Sequence, residues 1–361
     1  MKIKYPVAEP DLTGNELRYT VQALREGVIS SRSPFVERFE KAFAEFTGSK
    51  YAVAVNTGTS ALQLSLMALG IGPGDEVIVP EFTMVASAWA VSYTGATPVF
   101  VDCGEDFNID VSKITEKITP RTKAIMPVHI YGRPVDMLSV MAIAAAHGLA
   151  VVEDACEAHG ARILGGLKVG AIGNVGCFSL FGNKIITAGE GGVCVTDDPM
   201  LAEKMRYLRS MAFEGTHTFL HKETGNNFRM TGLQAAVALA QVERIDGFLA
   251  KRKQICEWYD QEIGDMTVKR PGGSVLWVYD ILTEKRDEMI DHLAAHGIES
   301  RMFFKPMSMQ PMYDRPYANL NALAYANSGC YLPAYTRLRR EDVSYICEVV
   351  KNFVSKSKHW H

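Results

Sequence analysis

Residues 51–102 read YAVAVNTGTSALQLSLMALGIGPGDEVIVPEFTMVASAWAVSYTGATPVFVD. Three short apolar runs, YAVAV, EVIVP and TPVFV, alternate with two longer stretches of helical character. Gly70, Gly72, Gly74 and Gly95 punctuate the joins. A run of about five apolar, β-branched residues bounded by turn residues reads as a buried strand, and a strand buried on both faces needs helices above and below it. Strand and helix taking turns therefore predict a parallel, mostly buried sheet with helices on both faces.

The pattern continues outward. KAIMPVHIYG (123–132) reads as a strand, the run through MAIAAAHG (141–148) as a helix, and LAVVEDA (149–155) as a strand. CFSLF (177–181) and GGVCVTDD (191–198) read as two more. Upstream, residues 13–47 read as helices broken by ISSRSP. Downstream, GLQAAVALAQVERIDGFLAKRKQICEWYDQEI (232–263) reads as one long helical run. WVYDIL (277–282) and KRDEMIDHLAAHG (285–297) then suggest a smaller α+β unit. The expected division is a large domain over 1–249, with its N-terminal helices, and a small C-terminal domain over 250–361.

Composition bounds the rest. The 361 residues are 47% hydrophobic and carry a net charge of -3, which makes no electrostatic case for nucleic acid. No apolar run approaches a membrane span, and MKIKYPVAEP has no signal-peptide core. The seven cysteines are scattered without a CxxC pair, and His292 and His296 have no recognisable third ligand, so no metal site is expected. A cytoplasmic protein with reduced thiols is the simplest reading.

Ligands of open α/β sheets bind beyond the carboxyl ends of the strands. After YAVAV comes Asn56-Thr57-Gly58-Thr59-Ser60, directly before a helix. Glycine lets backbone approach a ligand, first-turn N–H groups favour an anion, and Thr59 and Ser60 add hydroxyls. The same residues would serve as a plain helix N-cap. After LAVV comes Glu153-Asp154, and strand alternation turns only one of these acids towards a given site. Asp154 is placed to meet a cationic ligand nitrogen or to cap the next helix; Glu157 and His159 follow closely enough to line the same crevice. After CFSLF comes Gly182-Asn183-Lys184, with Ser179 five residues before the lysine and GEGG just after it. A lone lysine is ordinarily a solvated charge; here it sits between an aromatic run and a glycine cluster. One cofactor needs all three ends together. Pyridoxal phosphate wants a helix N-terminus for its phosphate, an Asp for its pyridine nitrogen and a lysine for its aldehyde. A dinucleotide site fits poorly, because GGLKVGAIG does not supply GxGxxG behind the first strand.

These segments resemble the DegT/DnrJ-type nucleotide-sugar aminotransferases, a pyridoxal phosphate family of fold type I. The resemblance covers nearly the whole chain and is carried by NTGTSAL, VVEDACEAHGA, GCFSLFGNKIITAGEGG and GNNFRMTGLQAA. It implies the fold-type-I architecture, a seven-stranded, mostly parallel sheet with flanking helices and a smaller C-terminal domain. It also implies Lys184 as Schiff-base lysine and proton shuttle, and Asp154 as partner of the pyridine nitrogen. Gly58, Thr59, Ser60 and Ser179 would hold the phosphate, Met84 would pack on the ring, and Glu157 would sit near its phenolic oxygen. Asn227 would reach the phosphate of a neighbouring subunit, so a homodimer with a shared site is implied. Arg229, His159 and Ser308 are the implied substrate contacts.

The chain departs from the family pattern at Met84, often aromatic, at Ser308, often histidine, and at Ser33, usually glycine. Residues 269–277 are short, and THTFLHKET (216–224) lacks the usual arginine. The implied reaction is ping-pong transamination from L-glutamate to a nucleotide-linked keto-deoxysugar. Perosamine-type amination at C4 of a 4-keto-6-deoxyhexose such as GDP-4-keto-6-deoxymannose is the preferred acceptor reading. The alternatives are a C3-keto sugar, a keto-inositol or aminoglycoside ketone, a sugar dehydratase of the same fold, and a binding protein without turnover. Lys184 argues against the dehydratase, whose relatives carry histidine there.

Overall fold

The structure, a computed structural model, describes residues 3–163, 165–213, 219, 221–313 and 320–357. The chain opens with α1 (Glu16–Arg25) and α2 (Pro34–Thr47). Then come β1 (Tyr51–Val55), α3 (Gly58–Ala68), β2 (Glu76–Pro80), α4 (Ala86–Tyr93) and β3 (Thr97–Val101). They are followed by β4 (Thr122–Ile125), α5 (Met137–His147), β5 (Ala150–Asp154), β6 (Val175–Ser179) and β7 (Gly192–Thr196). The seven strands make one sheet in the order β1-β7-β6-β5-β4-β2-β3. Pairings among β2 to β6 are parallel, and β7 runs against both β1 and β6. The reversal has a local cause. A loop without a helix, residues 180–191, joins β6 to β7, and a parallel return would need a full crossover. That loop carries Lys184. Val55 and Ser179 both face Gly192 in register, so the carboxyl ends of β1 and β6 meet at one edge.

Alternation along the strands divides the core. Phe178, Val193 and Val195 join Phe39 and Phe43 of α2 on one face. Val53, Val55, Cys177 and Cys194 join Leu62 and Leu64 of α3 on the other. Each such buried side chain contributes on the order of 1.5–3 kcal/mol. Ser33 is the N-cap of α2, its hydroxyl accepting the Phe35 N–H at 3.3 Å. A hydroxyl side chain is the favoured solution there.

Two expectations shift. The long run 232–263 is two helices, because α6 (Pro199–Arg209) is followed by α7 (Gly232–Val242) and then α8 (Ile245–Ile263). At the break Glu243 accepts from Tyr19 Oη at 2.8 Å and Arg244 donates to Asp11 at 3.1 Å, so the N-terminal segment ties down the bend. The strand 123–132 stops at Ile125, and residues 130–132 form a 3-10 turn with Tyr131 at φ 53°.

Beyond α8 lie β8 (Tyr279–Leu282), α9 (Arg286–Ala295), β9 (Arg301–Met302), α10 (Asn321–Ser328), β10 (Gly329–Leu332) and α11 (Arg340–Ser357). The three strands form an antiparallel sheet in the order β8-β10-β9. The N-terminal segment packs here too, for Tyr5 bridges Ile298 and Val7 donates to Glu299 at 2.9 Å. Among the described residues no helix is long and apolar enough to cross a membrane.

Candidate active site

Lys184 Nζ lies 3.7 Å from Glu157 Oε1, with both side chains almost entirely covered. Glu157 Oε2 accepts the Tyr131 N–H at 2.9 Å. The left-handed backbone at Tyr131 is unfavourable for an aromatic residue, and it aims this N–H at the carboxylate. Burial pushes the Glu157 carboxyl up to about 7, against the pull of the Lys184 ammonium and the Tyr131 N–H. Trp277, just before β8, closes the other side. Its ring centroid is 3.8 Å from Lys184 Nζ, and its indole N–H donates to the Asn183 carbonyl at 2.8 Å.

Asp154 ends β5 and is 5% exposed. Its Oδ2 accepts from Ser87 Oγ at 2.7 Å and its Oδ1 from the Cys156 N–H at 3.1 Å. Ser87 lies in the first turn of α4 and is 2.9 Å from Thr83 Oγ1. The carboxylate is thus fixed on both oxygens. Glu153, its neighbour, points the other way and is held by His129 and the N–H groups of Gly170, Ile172 and Gly173. Strand alternation chooses Asp154 for the crevice.

The third strand end is a close backbone approach. Thr57 caps α3, accepting the Ser60 N–H at 3.0 Å, and leaves first-turn N–H groups of Gly58 and Thr59 at the helix tip. A Cβ on Gly58 would sit 2.7 Å from Ser179 Cβ and 3.1 Å from its Oγ. A Cβ on Gly192 would sit 2.3 Å from the Thr57 carbonyl. The two glycines therefore let the helix tip rest against Ser179 at the end of β6. Thr59 is half-buried, and the Ser60 hydroxyl is 2.9 Å from Thr57 Oγ1.

These groups fit pyridoxal phosphate: an anion cradle at Gly58, Thr59 and Ser179, a fixed carboxylate at Asp154, and a covered amine at Lys184. Cys156 links two of the ends, donating its N–H to Asp154 and placing its Sγ 3.2 Å from where a Gly58 Cβ would be. Met84 stands beside them at the start of α4, 47% exposed, its Sδ accepting the Ala86 N–H at 3.1 Å. Ser308 is buried at the carboxyl end of β2, its N–H donating to Glu81 Oε1 at 2.6 Å.

Three implied contacts stand apart. His159 is fully buried, 5.2 Å from the Phe178 ring and 6.4 Å from Phe43, so it is a core residue and the expectation that it lines the crevice is corrected. Burial pushes its pKa down to about 3, and the ring is neutral. Arg229 lines a different cavity of about 460 Å³ with Ser30, Ser31, Arg32 and Arg209. Asn227 is exposed and bridges Ser210 on the outer side of β1, where Asn56 N–H meets the Phe228 carbonyl. Part of THTFLHKET, residues 216–218 and 220, lies outside the described residues.

Residues that no motif announced are Ser87, Tyr131 and Trp277. Ser87 could have been found as a hydroxyl in the first turn of a helix that follows a strand end. Trp277 carries no such signal.

Similarity to known proteins agrees with this chemistry. Residues 10–351 match the pattern of the DegT/DnrJ/EryC1/StrS aminotransferase family. The GDP-perosamine synthase of Caulobacter vibrioides is 46% identical over 356 residues, covering 93% of this chain and 95% of that protein. The GDP-perosamine synthase of Escherichia coli O157:H7 is 41% identical over 363 residues, covering 98% and 100%. The crystal structure of S. venezuelae DesV in complex with a ketimine intermediate superposes with a TM-score of 0.89 at 36% identity, over 94% of each chain. The chain belongs to the DegT/DnrJ/EryC1/StrS aminotransferase family and is a pyridoxal phosphate-dependent aminotransferase.

Proposed function

We propose that this enzyme moves the amino group of L-glutamate onto C4 of a GDP-linked 4-keto-6-deoxyhexose, with GDP-4-keto-6-deoxymannose as the first acceptor to test. The 3.7 Å approach of Lys184 Nζ to Glu157 Oε1 carries the chemical part of this reading, since it puts a covered amine in the crevice that Asp154 and Gly58 share. Full-length similarity to two GDP-perosamine synthases supports the acceptor.

Pyridoxal phosphate, when bound, supplies an aldehyde for the amine and an electron sink for the carbanion. The chain supplies the rest. First-turn N–H groups of Gly58 and Thr59, with the Ser179 hydroxyl, would hold the phosphate. Asp154, fixed by Ser87 and the Cys156 N–H, would keep a proton on the pyridine nitrogen. Glu157 would serve the phenolic oxygen. Lys184 Nζ would take the proton from the donor's α-carbon and deliver it to the cofactor's former aldehyde carbon, within a site whose covered walls exclude water. Met84 would pack on the cofactor ring, and Ser308 is the residue assigned to the substrate.

Asn227 and Arg229 lie on the outer side of β1, away from Lys184 of their own chain. We read them as facing the cofactor phosphate and an anionic substrate group of a second subunit, which makes the working unit a homodimer with shared sites. The reading also takes the large domain as residues 1–249 and the small as 250–361, in a cytoplasmic enzyme. The test is product formation from a panel of keto-sugar nucleotides with L-glutamate as donor. Turnover of GDP-4-keto-6-deoxymannose well above dTDP- and UDP-linked 3-keto sugars supports the proposal. Preference for a 3-keto acceptor overturns it while leaving the aminotransferase assignment standing.

A further inference from the structure

Of the contacts made by the Lys184 amine, one comes from the second lobe. Trp277 is 5% exposed and reaches across from the segment before β8. Its contacts with Lys184 and with Asn183 differ in kind. The ring face 3.8 Å from Nζ favours the cationic amine and blocks one direction of approach. The indole N–H, 2.8 Å from the Asn183 carbonyl, fixes the backbone immediately before the lysine. The amine is therefore bounded by a carboxylate on one side and an indole on the other.

Trp277 is itself held from behind. Arg252 of α8 is 4% exposed, and its Nη1 donates to the carbonyls of Leu276 at 3.2 Å, Trp277 at 3.0 Å and Ala334 at 2.7 Å. A guanidinium bonded to three backbone carbonyls is an expensive group to bury, and it fixes the one stretch of chain that presents the indole. A line of direct contacts thus runs from Arg252 through the Trp277 backbone and ring to Asn183 and Lys184.

We propose that Trp277 is a positioning residue for Lys184. It sets where the amine rests and how it returns during each half-reaction, and Arg252 ties that setting to the second lobe. The proposal rests on the reading of Lys184 as the cofactor-linked amine.

The experiment uses the holoenzyme with Trp277→Phe, Trp277→Leu and Arg252→Lys. Pyridoxal phosphate content, visible circular dichroism of the bound cofactor and the single-turnover rate with L-glutamate are measured. A ring face and a hydrogen bond are each worth roughly three- to tenfold. Trp277→Phe keeps a ring and loses the N–H, so the rate falls about threefold. Trp277→Leu loses both, and the rate at saturating glutamate falls at least tenfold with half-saturation within about twofold of wild type. Arg252→Lys, whose ammonium ends one bond short of the Nη1 that reaches all three carbonyls, follows Trp277→Phe. The dichroic band weakens in the same order at unchanged cofactor content. Wild-type rates and bands in Trp277→Phe and Trp277→Leu overturn the proposal, and so does a loss confined to half-saturation, which marks a substrate contact. If Trp277→Leu does not fold, Trp277→Phe and Arg252→Lys decide it alone. A wild-type enzyme whose visible band ignores glutamate would instead refute the reading of Lys184 on which the proposal stands.

Discussion

His159 separates structure from motif, and its burial can be measured. The folded pKa is about 3 and the ordinary value 6.5, because burial penalises the imidazolium. A base with a depressed folded pKa contributes stability that is complete above its unfolded pKa and is lost as pH falls, since the unfolded chain takes up the proton first. Between pH 6.5 and 5.0 that loss is about 2 kcal/mol, at about 1.36 kcal/mol per pH unit. Glu157 works in the opposite direction over an overlapping window. Its folded value, about 7, lies above the ordinary 4.5, so its contribution is complete at low pH and lost as pH rises. Wild-type stability alone therefore mixes the two, and the difference between proteins isolates His159. The perturbation is His159→Leu, which keeps an apolar group against Phe178 and Phe43. Urea unfolding of the apoprotein is followed at pH 8.0 and 5.0 at one protein concentration. The acid loss in the variant should be smaller than in wild type by about 2 kcal/mol. Parallel losses within about 0.5 kcal/mol would refute the argument, because His159 would then carry its proton in the folded protein.

Three other outcomes follow from the same geometry. Gly58→Ala drives a Cβ to 2.7 Å from Ser179 Cβ, so titration of the apoprotein with pyridoxal phosphate should show affinity weakened at least about tenfold, with the helix still formed. Asp280 is fully buried and holds Arg133 Nη2 at 2.8 and 2.9 Å, and Arg270 and Thr267 still hold it when that partner goes, so Arg133→Met should lower unfolding free energy by about 1.5–3 kcal/mol in urea. Lys184→Ala should reduce turnover by about a thousandfold or more at a melting temperature within a few degrees of wild type, read by product assay and calorimetry.

The sheet was legible because burial on both faces leaves a sequence mark: short apolar runs at β1, β2, β3 and β5, each followed by turn residues, with a helix after β1 and after β2. The mark failed where geometry overrode composition. PVHIYG after β4 is apolar enough for a strand, yet Tyr131 turns left-handed to deliver its N–H to Glu157. Nothing in the residues 242–245 signals the break between α7 and α8, which the N-terminal segment enforces from far away in sequence. At the site, Lys184, Asp154 and Gly58 were readable because each lies at or just beyond the end of a strand. Glu157 and His159 show the limit. They are two residues apart, both polar, and the irregular path after β5 sends one to the amine and the other into the core. Trp277 was invisible for another reason. It sits 93 positions from Lys184 in an apolar stretch, where an indole reads as core, and only the folded chain brings the two together.

The central claim is that Lys184 holds pyridoxal phosphate and exchanges it with an amino donor. The direct measurement is the visible absorbance of the purified protein, supplied with pyridoxal phosphate, before and after adding L-glutamate. The account predicts a long-wavelength band that glutamate abolishes as a shorter-wavelength band of the aminated cofactor rises, with both absent in Lys184→Ala. A wild-type band that glutamate leaves unchanged, or one that survives unaltered in Lys184→Ala, would contradict it.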